Sequence, residues 1–256
     1  MKSFLYVSSI IVSIAIVIVG HFYYQQKLEA IAAESVPLTL STNPSPPLTT
    51  QEEEKVDETA ELTGLLGTWS EVQDTVSMTV FGSTSITNDE DPSTSWPVLF
   101  ESTINNVSSS SFEVTLIDVE RTTSIDVLQS DFLDQVIASQ PDVLLFEPFF
   151  LNDNGQIRLE DSLDALDIMM EQLKQQLPET EIVLLPANPL NSTGFYLSQV
   201  DQLEQYALEN EYIYADHWQF WPSTEDTDLN NYIENARPNE AGHVLWAEAM
   251  FEVLSQ

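Results

Sequence analysis

The sequence predicts an α/β fold: a three-layer α/β/α sandwich around a central five-stranded parallel sheet, wound like flavodoxin. Short apolar runs of strand length recur at 76–81, 112–119, 143–146, 182–185 and 212–215. Stretches with a helical period lie among them. The two signals alternate, which implies parallel strands with helices on both faces. Right-handed crossovers then gather the carboxyl ends of all the strands on one rim, where ligands of open α/β sheets bind.

At the N-terminus, residues 4–24 contain no Asp, Glu, Lys or Arg and are rich in Ile, Val, Leu and Ser. About 20 such residues span a bilayer as a helix, so residues 1–27 are expected to form an N-terminal transmembrane helix. The competing reading is a signal peptide cleaved near Ala30-Ile31-Ala32. Residues 28–63 follow, with Pro37, Pro44, Pro46 and Pro47 among Ser and Thr and then Glu52-Glu53-Glu54. With little apolar surface to offset ordering entropy, this stretch reads as a disordered acidic linker. The globular domain is assigned to 64–256, long enough for one core. Within it Ile125, Leu128, Phe132 and Val136 step by three and four, as do Leu163, Leu166, Met170, Leu173 and Leu177. Val200, Leu203 and Ala207 continue the pattern more weakly, and Val244, Ala247, Phe251 and Leu254 close the chain with a last helix.

Composition narrows the function. There are 42 Asp and Glu against 7 Lys and Arg, a net charge of -35. Such a field repels nucleic acid and anionic lipid headgroups, so no nucleic-acid partner is expected. The acids are scattered, which fits solubility in high salt or at alkaline pH better than cation binding. Zero cysteines remove disulfides, thiol nucleophiles and thiolate metal sites. No cofactor and no metal are expected, and the soluble domain is expected to be monomeric.

The predicted rim carries the polar residues. The first loop is Phe81-Gly82-Ser83-Thr84-Ser85-Ile86-Thr87, a glycine turn that exposes hydroxyls beside free backbone N–H groups. The second is Glu120-Arg121-Thr122-Thr123-Ser124, and the third ends in Asn152-Asp153-Asn154-Gly155, a strong turn sequence. The fourth is Pro186-Ala187-Asn188-Pro189, and the fifth is Asp216-His217-Trp218 with Trp221-Pro222. Glu234-Asn235-Ala236-Arg237-Pro238-Asn239, with Gly242-His243, precedes the last helix.

In that order, Phe81-Gly82, Asn152-Asp153, Pro238-Asn239 and Gly242-His243 resemble the SGNH, or GDSL-like, hydrolase superfamily. Glu147-Pro148-Phe149, Asp216-His217-Trp218 and Trp246-Ala247 look like a membrane-anchored branch of it found in Bacillus-like bacteria. The resemblance implies an acyl-transfer site. Thr84 or Ser85 would be the nucleophile, depending on whether Gly82 or Ile86-Thr87 anchors the alignment. Asn152 and backbone N–H groups would hold the oxyanion, and His217, next to Asp216, would replace the base. Gly82, Ser83, Asp153, Arg121 and Arg237 would bind substrate.

Each residue also has a structural reading. The hydroxyls can close a turn, Asn152 can form one, Asp153 can brace backbone N–H groups, and His217 can pack among Trp218, Phe220 and Trp221. The two arginines can make ordinary ion pairs. Trp218, Trp221 and Trp246 could stack on a sugar or simply fill the core. Three positions depart from the superfamily pattern: Glu120 or Arg121 replaces a glycine, Glu234 an Asp, and Arg237 the His. A guanidinium is not a base near neutral pH. The expected function is therefore an extracytoplasmic, single-pass membrane-tethered esterase that removes acyl groups, for example O-acetyl, from an envelope polysaccharide. The alternative is a catalytically degenerate domain of this fold that binds cell-wall glycan or an envelope protein.

Overall fold

Five of the apolar runs become five parallel strands, and their order sets where the site lies. A computed structural model describes residues 62–191 and 194–256, all within the unit Val56–Gln256. The expected anchor and all but the end of the linker lie outside the described residues. Among the described helices none is long and apolar enough to cross a membrane.

In chain order the larger elements are α1 (Gly64–Val72), β1 (Thr75–Gly82), α2 (Trp96–Val107), β2 (Ser111–Asp118), α3 (Ser124–Val127), α4 (Phe132–Ser139) and β3 (Val143–Phe146). Then come α5 (Phe150–Asp153), α6 (Leu159–Gln176), β4 (Glu181–Leu184), α7 (Phe195–Glu209) and β5 (Ile213–Tyr214). A two-stranded hairpin, β6 (Ile233–Glu234) and β7 (Arg237–Pro238), leads into α8 (Glu240–Leu254). The main sheet runs β2-β1-β3-β4-β5, parallel throughout. Strand order reverses between β1 and β3, so the crevice at their carboxyl ends is the topological switch point.

Strand alternation builds the layers. Met78, Val80, Val143, Leu145 and Val183 face α1, α2 and α8 through Leu66, Phe100, Ile104, Trp246 and Met250. Phe81, Leu144, Phe146 and Leu184 face α4, α6 and α7 through Val136, Met169, Leu173 and Leu203. All four residues of β3 are buried, as a strand covered on both faces requires. The fold expected from the sequence is this one in its sheet and helical layers.

Three details differ from the sequence reading. The run from Ile125 to Val136 is two helices, because the Ser130 hydroxyl donates to Val127 O (2.8 Å) and accepts from Phe132 N (3.3 Å), interrupting the ladder. Helix α2 was not anticipated; its apolar face is Trp96, Phe100 and Ile104, spaced by four. Asn152-Asp153 closes the short helix α5 and the turn comes after it, with Gly155 at φ +78°.

The exposed edge of β2 is closed by side chains of α2. Asn105 accepts from Phe112 N (2.8 Å) and donates to Phe112 O (2.9 Å), and Glu101 accepts from Val114 N (3.2 Å). An edge so occupied cannot template another strand. Asn105→Ala is expected to lower stability by about 1–2 kcal/mol and to promote concentration-dependent association, read by urea denaturation and sedimentation velocity.

Candidate active site

The turn after β1 is built around a buried carboxyl. Glu147, the residue following β3, has no exposed surface. Its Oε2 accepts from Ser83 N (2.9 Å) and Ser83 Oγ (2.8 Å). Gly82 makes this approach possible: a Cβ there would lie 2.7 Å from Ile86 Cγ2 and 2.8 Å from Glu147 Oε2. Ser83 Oγ in turn accepts from Ser85 N (3.3 Å), capping the single 3₁₀ turn Thr84–Ile86. Burial pushes the Glu147 carboxyl up to about 8, against the pull of the two Ser83 hydrogen bonds. Ser85 points inward, 1% exposed, while Thr84 is half-buried. Of the two nucleophile candidates, Thr84 is the one that meets solvent. Ser83 therefore serves the turn itself rather than a ligand.

Around Thr84 the polar groups satisfy one another. Glu120, one of the two residues read at the glycine position of the superfamily pattern, takes the left-handed conformation at φ 58°. A non-glycine residue pays roughly 1–2 kcal/mol for that conformation. The Glu120 carbonyl oxygen accepts from Thr84 N (2.9 Å) and from Asn152 Nδ2 (3.1 Å). The second Asn152 proton goes to Thr122 O (2.8 Å). The donors assigned to an oxyanion thus converge on a carbonyl of the chain itself.

Arg237 comes from the β6–β7 hairpin, whose two central residues, Asn235 (φ 52°) and Ala236 (φ 63°), are both left-handed, as in a type I′ turn. Its guanidinium donates to Thr84 O (2.9 Å) and Thr87 O (3.2 Å) and pairs with Asp89 at 2.5 Å. Hydrogen bonding to Arg237 holds the Asp89 carboxyl below the usual range. Arg237 is therefore a staple for the β1 turn, and Glu234, the Asp position, is exposed. Asn239 caps α8, accepting from Gly242 N (3.0 Å). Beside these residues lies an open cleft of about 310 Å³ lined by Thr87, Asp89, Asp91, Glu234, Arg237 and Glu240, among others.

The remaining assigned residues lie elsewhere or work structurally. His217 is fully buried; its Nε2 donates to Pro186 O (2.9 Å) and its Nδ1 accepts from Trp221 Nε1 (3.0 Å). Its ring stacks on Trp246 at 4.6 Å, and Trp246 stacks on Trp96 at 5.1 Å. Burial lowers the imidazole to about 3, and with both nitrogens engaged it does not replace the missing base. Asp216 accepts from Trp218 N (3.1 Å), capping a 3₁₀ turn. Trp246 and Trp221 are core residues rather than a sugar platform. Asp153 is buried and accepts from Ser124 N (2.9 Å), Ser124 Oγ (2.6 Å) and Ser162 Oγ (2.6 Å), bracing three segments instead of binding substrate. Arg121 is exposed and, among the described residues, forms no ion pair within 4 Å. No group of three His, Cys, Asp or Glu among the described residues could hold a metal.

Sequence reasoning did not single out Glu147 as a site residue, nor Glu120 as more than a missing glycine. The signal for Glu147 was a lone acid directly after a fully apolar strand. For Glu120 only its position was legible, because the function of a backbone carbonyl leaves no mark in residue identity.

The order of the sheet, the β1 turn and the hairpin before the last helix are arranged as in the three-layer fold of SGNH, or GDSL-like, hydrolases. Solved structures agree. The domain is similar to a lipolytic protein of the G-D-S-L family from Desulfitobacterium hafniense (TM-score 0.60, 17% identity, covering 70% of this chain and 99% of that one). It is similar also to a GDSL-like lipase from Parabacteroides merdae (0.55, 15%, 70% and 95%). A third is a two-domain esterase active on acetylated mannans (0.56, 12%, 72% and 50%). No protein-family model and no curated protein matches the sequence. The resemblance to the SGNH superfamily read from the motifs holds at the level of the fold, which is that of esterase-type hydrolases.

The buried imidazole gives a direct test. His217 is neutral when folded down to about pH 3, whereas unfolded it protonates near 6.5. Its contribution to stability is therefore complete above 6.5 and is lost as pH falls towards 3. An NMR titration is expected to find His217 neutral at pH 5; protonation near 6.5 would show a solvent-accessible ring.

Proposed function

We propose that this is an SGNH hydrolase-type domain that recognises an acylated envelope glycan with its hydrolytic machinery closed. One observation carries this reading: the Thr84 N–H and the Asn152 amide both donate to the Glu120 carbonyl. An oxyanion hole accelerates acyl transfer only when its donors are aimed at the oxygen that gains charge. Here they are spent before a substrate arrives. The Arg237 staple supports the same reading, since it occupies the base position with a group that cannot accept a proton.

The cleft beside Thr84 offers the binding surface. Asp89, Glu90, Asp91, Glu234 and Glu240 line it, and with a net charge of -35 the chain disfavours polyanions. A neutral glycan is the better match, and the fold's occurrence in an esterase active on acetylated mannans makes O-acetyl sugars the first ligands to try. Tethering through residues 1–27 would place the domain outside the cytoplasmic membrane, next to such polymers.

A second reading, a working esterase, is favoured by the position of Thr84: a half-buried hydroxyl at the end of β1, where the relatives of this fold do their chemistry. The two are separated by one series. Residues 62–256 should show no hydrolysis of p-nitrophenyl acetate above background, while isothermal titration detects binding of an O-acetylated polysaccharide and not of its deacetylated form. Thr84→Ser with Glu234→Asp and Arg237→His supplies a serine hydroxyl, a carboxylate and an imidazole but leaves the Glu120 carbonyl on the oxyanion donors, and is expected to stay without turnover. Turnover by the wild-type domain that Thr84→Ala abolishes would establish the esterase instead.

A further inference from the structure

We propose that Glu147, held as an uncharged acid beneath the β1 turn, is the residue that positions that turn, and that loss of its proton releases Ser83 and Thr84. The proposal rests on the site being at this turn; it does not depend on whether the site binds or hydrolyses.

The geometry requires the neutral form. Glu147 is sealed from solvent, and its Oε2 meets only the N–H and hydroxyl of Ser83. Its Oε1 has no hydrogen-bond partner among the described residues. Ionised, the group would bury a charge with one oxygen bare, which costs far more than two neutral hydrogen bonds return. Of the charged groups near it, Asp118, on β2, opposes ionisation as well, while Tyr196, on α7, stays a neutral phenol.

The contact supports the turn from below, beside the buried Ile86 side chain. Gly82 has no side chain, and the Ser83 hydroxyl both donates to Glu147 and accepts from Ser85 N. A carboxylate seeking water must move outwards, through the space that Gly82 and Ser83 occupy. The proton therefore couples solvent pH to the shape of the segment that carries Thr84, over the interval between the ordinary carboxyl value of 4.5 and the value of about 8 set by burial.

Hydrogen exchange on the folded domain tests this without any ligand. Corrected for the intrinsic rise with pH, protection of a peptide spanning Gly82 to Thr87 should fall by up to about tenfold per pH unit between 4.5 and about 8 and level off above that. A peptide spanning β3 should keep its protection. In Glu147→Gln the amide oxygen accepts both Ser83 bonds and carries no proton to lose, so the turn should stay protected at every pH. In Ser83→Ala, which keeps the N–H contact, the turn should exchange faster at pH 7 and still lose protection as pH rises towards 8. The same pH-dependent loss in Glu147→Gln, none in the wild type, or unchanged exchange in Ser83→Ala would overturn the proposal.

Discussion

The position of β1 between β2 and β3 is the constraint from which the site follows. Parallel neighbours on both sides bring three loops to one end of the sheet: the turn from Gly82, the loop from Val119, and the segment from Glu147. Without that order, Thr84 N–H could not reach the Glu120 carbonyl, nor could Ser83 reach Glu147. Gly82 is the point of closest approach. Its missing side chain lets the carboxyl of one strand end lie against the backbone of the next. Registry at the middle of the sheet is thereby converted into hydrogen-bond distances at its rim.

Charge is handled differently inside and outside. Among the described residues the acidic side chains lie almost all outside the core, and the buried titratable groups are arranged to be neutral or multiply hydrogen-bonded. Glu147 keeps its proton, His217 stays unprotonated between a carbonyl and an indole, and Asp153 receives three donors. Each arrangement avoids an uncompensated charge in a low-dielectric interior. Arg237 is the cation the site retains for structure, and it is fully employed by Asp89 and two carbonyls.

The fold was legible because it depends on periodicities that residue identity records. Four apolar residues from Val143 to Phe146, bounded by Pro141-Asp142 and Glu147-Pro148, can be little other than a buried strand, and the heptad-like spacing from Leu163 to Leu173 marks α6 as readily. Helix α2 left a weaker mark, three large apolar residues at every fourth position, Trp96, Phe100 and Ile104, with Pro97 in its first turn, where proline is at home. The candidate site was legible only as a set of positions. Thr84, Asn152 and Arg237 do meet, but their partners are the carbonyls of Glu120, Thr122, Thr84 and Thr87. His217 misled for a related reason: a histidine at the end of a strand on the rim can turn outwards or inwards, and only the stack with Trp246 and Trp96 decides.

The two departures from a hydrolytic site are physically consistent with each other. Free N–H donors in a dry crevice are costly unless a developing oxyanion rewards them, because each lost partner carries the full penalty of desolvation. On the proposed reading no oxyanion forms at Thr84, and donors left waiting there would only destabilise the domain. Turning the Glu120 carbonyl into the hole satisfies both donors at the cost of one left-handed residue. Arg237 then secures the outer face of the same turn by its carbonyls while Glu147 secures the inner face. The turn is thus held on both faces by a closed internal network, and the proposed binding cleft opens beside it.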